Sequence, residues 1–503
     1  MSATPVAGPP RPAAPAARPL PGLLSRVPAL AADRPVDGVT VTGCTHDSRA
    51  VRPGDLYAAL PGSHAHGADF AAAAVRSGAV ALLTDPAGSH AASGLGVPVL
   101  VCARPRDVLG DVAAWVHGDP AGDLLVLGVT GTNGKTTTAF LLEAGLRAAG
   151  HATGLVGTVV TRIGDDVTPS VRTTPEATDL QALLALMRER GTTAVAMEVS
   201  SHALALGRVD GITFAVAGFT NLTQDHLDFH ADMEDYFAAK SALFTPGRSR
   251  RAVVNVDDPF GSRLAGTATV PVRTLSGAGP ADYAASDLAC RPDGSSFTLR
   301  GPGLELRCGT RLPGRFNADN AALAVAMLAE AGVAGEPAAA GVAGLDGVPG
   351  RMERVEAGQS FTALVDYAHT PEAVSTLLRT VREVTPGRVV VVLGCGGDRD
   401  RAKRPLMGRA AAEGADVAVL TSDNPRGEDP LAILREMAAG APGAVVEPDR
   451  RAAIALAVRG AGPGDAVVVA GKGHETGQEA GGTVTPFDDR EVLRAALLEA
   501  VAR

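Results

Sequence analysis

Gly128-Val129-Thr130-Gly131-Thr132-Asn133-Gly134-Lys135-Thr136-Thr137 lies between an unbroken apolar run and a helical pattern. The run, Leu124 to Val129, predicts a strand buried on both faces of a parallel sheet. The helix is expected from about Thr136 to Gly150. A glycine-rich turn in that setting points backbone N–H groups, and the positive end of a helix, at phosphate oxygens. Lys135 is placed to reach β- and γ-phosphates and the Thr136 hydroxyl to hold Mg2+. The usual spacing of such loops would put a first glycine at Val129, so what remains is the tighter Gly131-x-x-Gly134-Lys135-Thr136. Nucleotide phosphate binding is therefore predicted for Gly131, Thr132, Asn133, Gly134, Lys135, Thr136 and Thr137.

Two segments downstream fit the same chemistry. Met197-Glu198-Val199-Ser200-Ser201-His202 ends the next strong strand, and a carboxylate at the carboxyl edge of a sheet is well placed for Mg2+. Asn221-Leu222-Thr223-Gln224-Asp225-His226-Leu227-Asp228-Phe229-His230 follows a third strand and mixes two His with two Asp but no thiol, which favours Mg2+ over zinc. Lys240 follows on a helix in Tyr236-Phe237-Ala238-Ala239-Lys240.

Composition bounds the rest. A chain of 503 residues suggests about three domains. A net charge of −9 argues against a general nucleic-acid or anionic-membrane binder, and 46% hydrophobic residues argue against global disorder. Cys44, Cys102, Cys290, Cys308 and Cys395 are scattered without CxxC spacing, so neither a disulfide framework nor a zinc site is indicated and a reducing cytoplasm fits. No apolar run reaches the ~18–20 residues of a membrane span. Seven prolines and no acid within Met1 to Gly22 predict a flexible Pro/Ala tail over residues 1–24 rather than a signal peptide. Only Lys135, Lys240, Lys403 and Lys472 are lysine among 46 basic residues, and all four fall in motif-like segments. Such lysines mark places where a guanidinium cannot replace an amine.

The pattern of elements gives an α/β protein: a small α/β domain over 25–118, a central phosphate-loop domain with a parallel sheet over 119–346, and a C-terminal Rossmann-like domain over 347–503. Strands are expected at Ala194–Met197, Phe214–Ala217 and Ala252–Asn255, with an antiparallel edge between about Leu275 and Leu312. In the last domain they are expected at Thr362–Val365, Arg388–Leu393, Val417–Thr421 and Ala466–Ala470. Gly394-Cys395-Gly396-Gly397 mimics part of a dinucleotide fingerprint, but its third glycine would fall at Arg399, so NAD binding is not predicted.

Taken in order, the phosphate loop, the Glu198 segment and the His226 segment with Lys240 resemble the Mur ligases of peptidoglycan synthesis, whose architecture the folylpolyglutamate synthetases share. The resemblance covers about residue 25 to 503 and implies the three-domain Mur ligase architecture. It implies that Glu198 and His226 hold magnesium and that Lys240 is carbamylated to support a second Mg2+. It implies an adenine contact at Asn317 in Gly314-Arg315-Phe316-Asn317, a ribose contact at Asp366 and a γ-phosphate-reaching arginine at Arg351. Asp423-Asn424-Pro425-Arg426 is similar to the signature of the branch that adds diaminopimelate. With Arg399, Gly471 and Glu475 it implies a clamp for an amino acid bearing a second carboxylate, Arg426 holding that carboxylate and Glu475 an ammonium. Ser48, Thr173, Thr174, Ser200 and Arg208, with the Ser63-His64-Ala65 loop more loosely, resemble the contacts to the UDP-linked substrate. The match departs at Arg172, where some members have Asn, and at Leu206, where some have Gln.

The implied activity is an ATP-dependent, ADP-forming amide ligase that adds diaminopimelate to the D-glutamate γ-carboxylate of UDP-N-acetylmuramoyl-L-alanyl-D-glutamate. ATP and Mg2+ are the expected cofactors, and a cytoplasmic monomer without nucleic-acid or membrane partners is expected. The rival readings are an L-lysine-adding or folylpolyglutamate-type ligase, and a nucleotide-gated switch that ligates nothing. Asp423 to Arg426 speaks against the lysine type, and the joint presence of Lys135, Glu198, His226 and Lys240 against a dead scaffold.

Overall fold

A computed structural model describes residues 10–62 and 64–502; Ser63 of the expected uridine loop and the first nine residues of the expected tail lie outside the described residues. The chain builds three large sheets in succession, each packed against helices, besides two small two-stranded ones. The first has five strands, ordered Ala31–Ala32, Val99–Val101, Ala81–Thr84, Asp55–Ala58 and Gly43–Thr45, parallel except for the first pair.

The tail expectation needs correction. Arg18–Pro19 pairs with Thr40–Val41, Pro21–Arg26 is a helix, and Leu20 and Leu23 are wholly buried in the core of the first domain. Proline count misled here because Pro21 occupies the first turn of a helix, where its missing N–H leaves no bond unmade.

The central sheet has eleven strands. Its parallel part runs Thr153–Val156, Ala194–Glu198, Leu125–Thr130, Val216–Phe219, Ala252–Asn255, Val272–Ser276. The expected antiparallel edge is present as Tyr283–Arg291, Gly294–Gly301 and Leu304–Thr310. The strand expected from Phe214 starts two residues later, and Phe214 makes only an isolated bridge to Ser249. Three short strands at the other edge, Thr153–Val156, Val160–Ile163 and Asp166–Pro169, escaped the sequence reading because their alternation is too brief to register. Helices Lys135–Ala148 and Arg315–Glu330 cover one face, Ala177–Glu189 and Met233–Ser241 the other. Strand Leu125–Thr130 has Ala194–Glu198 on one side and Val216–Phe219 on the other, so the chain reverses its direction of winding there. A crevice at the carboxyl ends of the strands is the expected result.

The third sheet runs Glu353–Arg354, Thr362–Asp366, Ala466–Ala470, Val389–Leu393, Val417–Leu420, Val445–Val446, parallel after the first pair. Its middle strands, Val-rich and buried throughout, match a sheet covered on both faces. Their carboxyl ends deliver Asp366, Gly394, Thr421 and Gly471 to one edge.

Candidate active site

The phosphate loop is shaped by close approach. Gly131 (φ +145°) and Gly134 (φ +88°) have no room for a Cβ: one would meet Thr220 Oγ1 at 1.8 Å, the other Asn320 Oδ1 at 2.3 Å. Thr220 and Asn221, at the end of the neighbouring strand, fasten the loop by donating to Asn133 O and accepting from Asn133 N. Lys135 folds over the loop and donates to Gly131 O at 2.8 Å and Thr132 O at 2.9 Å. Lys240 reaches the same Gly131 carbonyl at 2.7 Å from helix Met233–Ser241, beneath the Tyr236 ring. Burial pushes both lysines down from the ordinary amine range, Lys240 the further because Lys135 lies beside it.

A chain of hydroxyls and one carboxylate crosses the crevice. Thr173 Oγ1 lies 3.0 Å from Thr158 Oγ1, which donates to Glu198 at 3.0 Å. Glu198 also accepts from Thr158 N at 2.7 Å and from the Thr136 hydroxyl at 3.0 Å. Thr136 Oγ1 in turn accepts from Arg351 Nη2 at 3.0 Å, and Arg351 lies over the Tyr367 ring. Residues expected at the UDP-linked substrate, the metal, the nucleotide and the third domain therefore stand in one line. Thr174, fully buried, donates to the Glu198 carbonyl and accepts from Ser200 N, and Arg208 pairs with Glu176 at 2.7 Å. Ser48 opens a short turn after Gly43–Thr45, and His46 beside it contacts Thr178 of the central domain at 2.9 Å.

The His226 loop bridges two domains. His226 takes a left-handed backbone (φ +56°) and Asp225 accepts its N–H at 2.9 Å. Asp225 lies 3.5 Å from His226 Nε2 and 3.8 Å from His369 Nε2 of the third domain. Burial pushes Asp225 up, but His369, His226 and Lys403 outweigh it and hold the carboxyl at about 2. Burial holds His226 down to about 3, so its imidazole is neutral with a lone pair to offer. Glu198 and the Thr136 hydroxyl offer oxygens of the kind a hard divalent cation takes, and the neutral His226 imidazole lies on the loop after Val216–Phe219. Among the described residues no three His, Cys, Asp or Glu side chains converge on one point, so such a cation would draw further ligands from phosphates and water.

Asn317 and Asp366 are committed to the fold: Asn317 donates to Pro313 O at 2.8 Å, and Asp366 accepts from Met352 N at 2.7 Å and Ala368 N at 2.8 Å. The Asp366 bonds set the turn that carries Arg351.

At the third sheet's edge, Asn424 is buried and central. It accepts from Lys472 Nζ at 3.0 Å and Glu479 N at 3.0 Å, and donates to Glu475 at 2.7 Å. Lys472 also donates to Glu475 at 3.1 Å. Gly471 (φ +112°) sits where a Cβ would meet Asp423 Oδ2 at 2.7 Å. Arg426 (φ +54°) donates to Gly397 O at 2.7 Å, and Arg399 reaches Asp228 of the central domain at 3.5 Å. Beneath them Arg450 is wholly buried, bonded twice to Asp489 and donating to Ala470 O and Ser422 O.

Three family models match successive parts of the chain: Mur ligase family, catalytic domain, over residues 40–115; Mur ligase middle domain over 129–328; and Mur ligase, glutamate ligase domain, over 350–473. A UDP-N-acetylmuramoyl-L-alanyl-D-glutamate--2,6-diaminopimelate ligase of Streptomyces coelicolor is 57% identical over 97% of this chain and 98% of its own length. The chain belongs to the Mur ligase family. A UDP-N-acetylmuramyl-tripeptide synthetase of Leifsonia xyli subsp. xyli is 47% identical over 97% of this chain and 98% of its own. The solved structure of a UDP-N-acetylmuramoyl-L-alanyl-D-glutamate--2,6-diaminopimelate ligase superposes with a TM-score of 0.66 at 34% identity, covering 94% of this chain and 97% of that one.

Some residues of this Mur ligase that organise its site were not singled out from sequence. Thr158 follows a strand too short to be read, so nothing marked its hydroxyl. His369 stood in view in Tyr367-Ala368-His369-Thr370, but only packing brings it to Asp225. Arg450 and Asp489 are 39 residues apart and look like ordinary helix-start charges until the fold removes both from water. No helix among the described residues is long and apolar enough to cross a membrane.

Proposed function

We propose that this Mur ligase joins diaminopimelate to the D-glutamate γ-carboxylate of UDP-N-acetylmuramoyl-L-alanyl-D-glutamate, in the cytoplasm and as a monomer, with cleavage of ATP to ADP and phosphate. The observation that carries the substrate choice is the turn Asp423 to Arg426. It is held by Lys472, Glu475 and Glu479 at the carboxyl edge of the third sheet, with a guanidinium at its end. Besides its bond to Gly397 O, an arginine there can take a second carboxylate on the incoming amino acid, which diaminopimelate has and lysine lacks.

In this reading the UDP-linked substrate lies between the first and central domains, along Ser48, Thr173, Thr174, Ser200 and Arg208. Asn317 and Asp366 border the nucleoside, and residues 131–137 wrap the phosphates. The D-glutamate γ-carboxylate attacks the γ-phosphorus, the bond to the β-phosphate oxygen breaks, and ADP leaves. Lys135 and Arg351 offset charge on the transferring phosphoryl group. Mg2+ held by Thr136, Glu198, His226 and a carbamylated Lys240 would supply further neutralisation of the phosphates. The amine of diaminopimelate, oriented by Arg399, Arg426 and the Asp423–Glu475 cluster, then attacks the acyl carbon. The carbon–oxygen bond to phosphate breaks, phosphate departs and the amide forms. The line from Thr173 to Arg351 keeps acceptor, nucleotide and third domain in register for both steps.

The test is phosphate release from ATP with the UDP-linked dipeptide and, in parallel, meso-diaminopimelate, LL-diaminopimelate or L-lysine. Release only with a diaminopimelate is expected. Release with lysine alone would reassign Arg426, and release without any amine would favour a nucleotide switch.

A further inference from the structure

Residues 11–14, ahead of the first strand, grip two domains at once. Arg11 Nη1 donates to Asp55 Oδ2 of the first domain at 2.7 Å, and both side chains are nearly out of water, at 6% and 3% exposure. Gly43 leaves room for the pair: a Cβ there would meet Asp55 Oδ1 at 2.2 Å and Arg11 Nη1 at 3.3 Å. A few atoms further on, Ala13 N and Ala14 N donate to the two carboxylate oxygens of Glu189, at 2.9 and 3.3 Å. Glu189 is the last residue of helix Ala177–Glu189 in the central domain. A carboxylate at that end opposes the helix dipole, and the two backbone N–H groups offset the cost.

The Arg11 guanidinium holds one particular stretch of the first domain. Its Nη2 donates to Ala50 O at 3.2 Å, and Asp55, held by Nη1, accepts from Arg52 N at 2.8 Å. The chain is thereby fastened on both sides of Val51, directly after the turn Ser48–Ala50. Asp47 and Arg49 tie that turn only to itself. His46, just before the turn, lies 2.9 Å from Thr178 in the first turn of the same helix whose far end carries Glu189. The first domain therefore meets this helix at both ends, through His46 at one and through the Arg11 segment at the other.

We infer that Arg11 is a positioning residue for the UDP-linked substrate: it sets the Ser48–Ala50 turn and, through Ala13 and Ala14, fixes that turn against the central domain. The inference rests on the reading given above that Ser48 meets the UDP-linked substrate. The guanidinium acts through the turn, since its donors are taken by Asp55 and Ala50. Losing it frees the turn while the phosphate loop and the edge of the third sheet keep their own bonds, so binding of the UDP-linked substrate falls and binding of ATP and of the amine does not.

The experiment follows phosphate release by the full-length enzyme and its Arg11→Ala, Arg11→Lys, Glu189→Ala and Ser48→Ala variants. For Arg11→Ala the KM for the UDP-linked dipeptide is expected to rise about tenfold, the scale of one charge-assisted bond, with kcat and the KM for ATP and for diaminopimelate each moving less than about twofold. Arg11→Lys keeps a cation for Asp55 but loses the fork that also reaches Ala50 O, and is expected to fall between. Glu189→Ala removes the far anchor at an exposed site and is expected to raise the same KM about threefold. Ser48→Ala is expected to raise it at least as much as Arg11→Ala. Trp115, the sole tryptophan and buried in the first domain, reports folding; if its emission shifts in Arg11→Ala, Glu189→Ala carries the test. An unchanged KM for the dipeptide in the variant that carries the test, or an equal rise for all three substrates, overturns the role of Arg11 alone when Ser48→Ala still raises that KM. An unchanged KM in Ser48→Ala overturns the reading of Ser48 and this inference with it.

Discussion

Two carboxyl edges of parallel sheets face each other across this molecule, and they are charged by opposite rules. At the central sheet Lys135, Lys240 and Arg351 have no carboxylate within salt-bridge distance among the described residues; they rest on the carbonyls of Gly131 and Thr132 and on the Thr136 hydroxyl. At the third sheet cations are matched: Arg450 with Asp489, Lys472 with Glu475, Arg404 with Glu428 and Glu436. At the first edge Lys135 and Arg351, resting on neutral acceptors, keep their donors for phosphates that bring their own negative charge. Internal pairing leaves the second nearly balanced, suited to an amino acid that is itself a zwitterion. The same backbone design, glycines in left-handed conformations after buried strands, serves both.

Breaking the unbalanced edge is expected to have the largest effect. Lys135→Ala should lower phosphate release by at least about a thousandfold, since no other cation on the loop reaches the transferring group; retained turnover would refute the phosphate assignment. Breaking a balanced pair should cost structure before chemistry. Arg450→Ala leaves Asp489 buried and unpaired, so the third domain should lose about 3–5 kcal/mol in urea denaturation. A loss below about 1 kcal/mol would mean that water reaches the pair.

The contrast sharpens at Arg426. Arg426→Ala should raise the KM for diaminopimelate by roughly 10–100-fold and leave the KM for ATP unchanged; a parallel change in both would mean that the two edges are not independent. The smallest effect concerns His474, which lies between them. Burial, with Arg351 and Arg490 nearby, holds it down to about 3. Its unfolded form takes up a proton near pH ~6.5, so stability is full above that pH and falls as pH drops toward about 3, by up to about 1.4 kcal/mol per unit. Denaturation midpoints at pH 7, 6 and 5 should show a shallower slope for His474→Gln than for the unmutated protein.

Phosphate loop, Glu198 segment and His226 loop were legible because each follows a strand whose apolar run is continuous, and each pairs chemistry with a local break in pattern. The Asp423–Arg426 turn was legible for the same reason. Thr158 was not, since a four-residue strand with a glycine leaves no periodicity to detect. The proline-rich start misled in the other direction: composition suggested a tail, while Leu20 and Leu23 had a core to enter.

Sequence alone determined which long apolar runs become strands, where glycine lets the chain pass close to its neighbours, and that amines rather than guanidiniums stand at Lys135 and Lys240. Those are local properties, set by side-chain size, φ preference and acid–base chemistry within a few residues. Tertiary structure alone decided which charges are neutralised: that Arg351 meets Thr136 across 215 positions, that His369 faces Asp225, and that Arg450 finds Asp489 while Lys135 finds only carbonyls. Electrostatic balance depends on distance and burial, and neither is encoded at any single position of the chain.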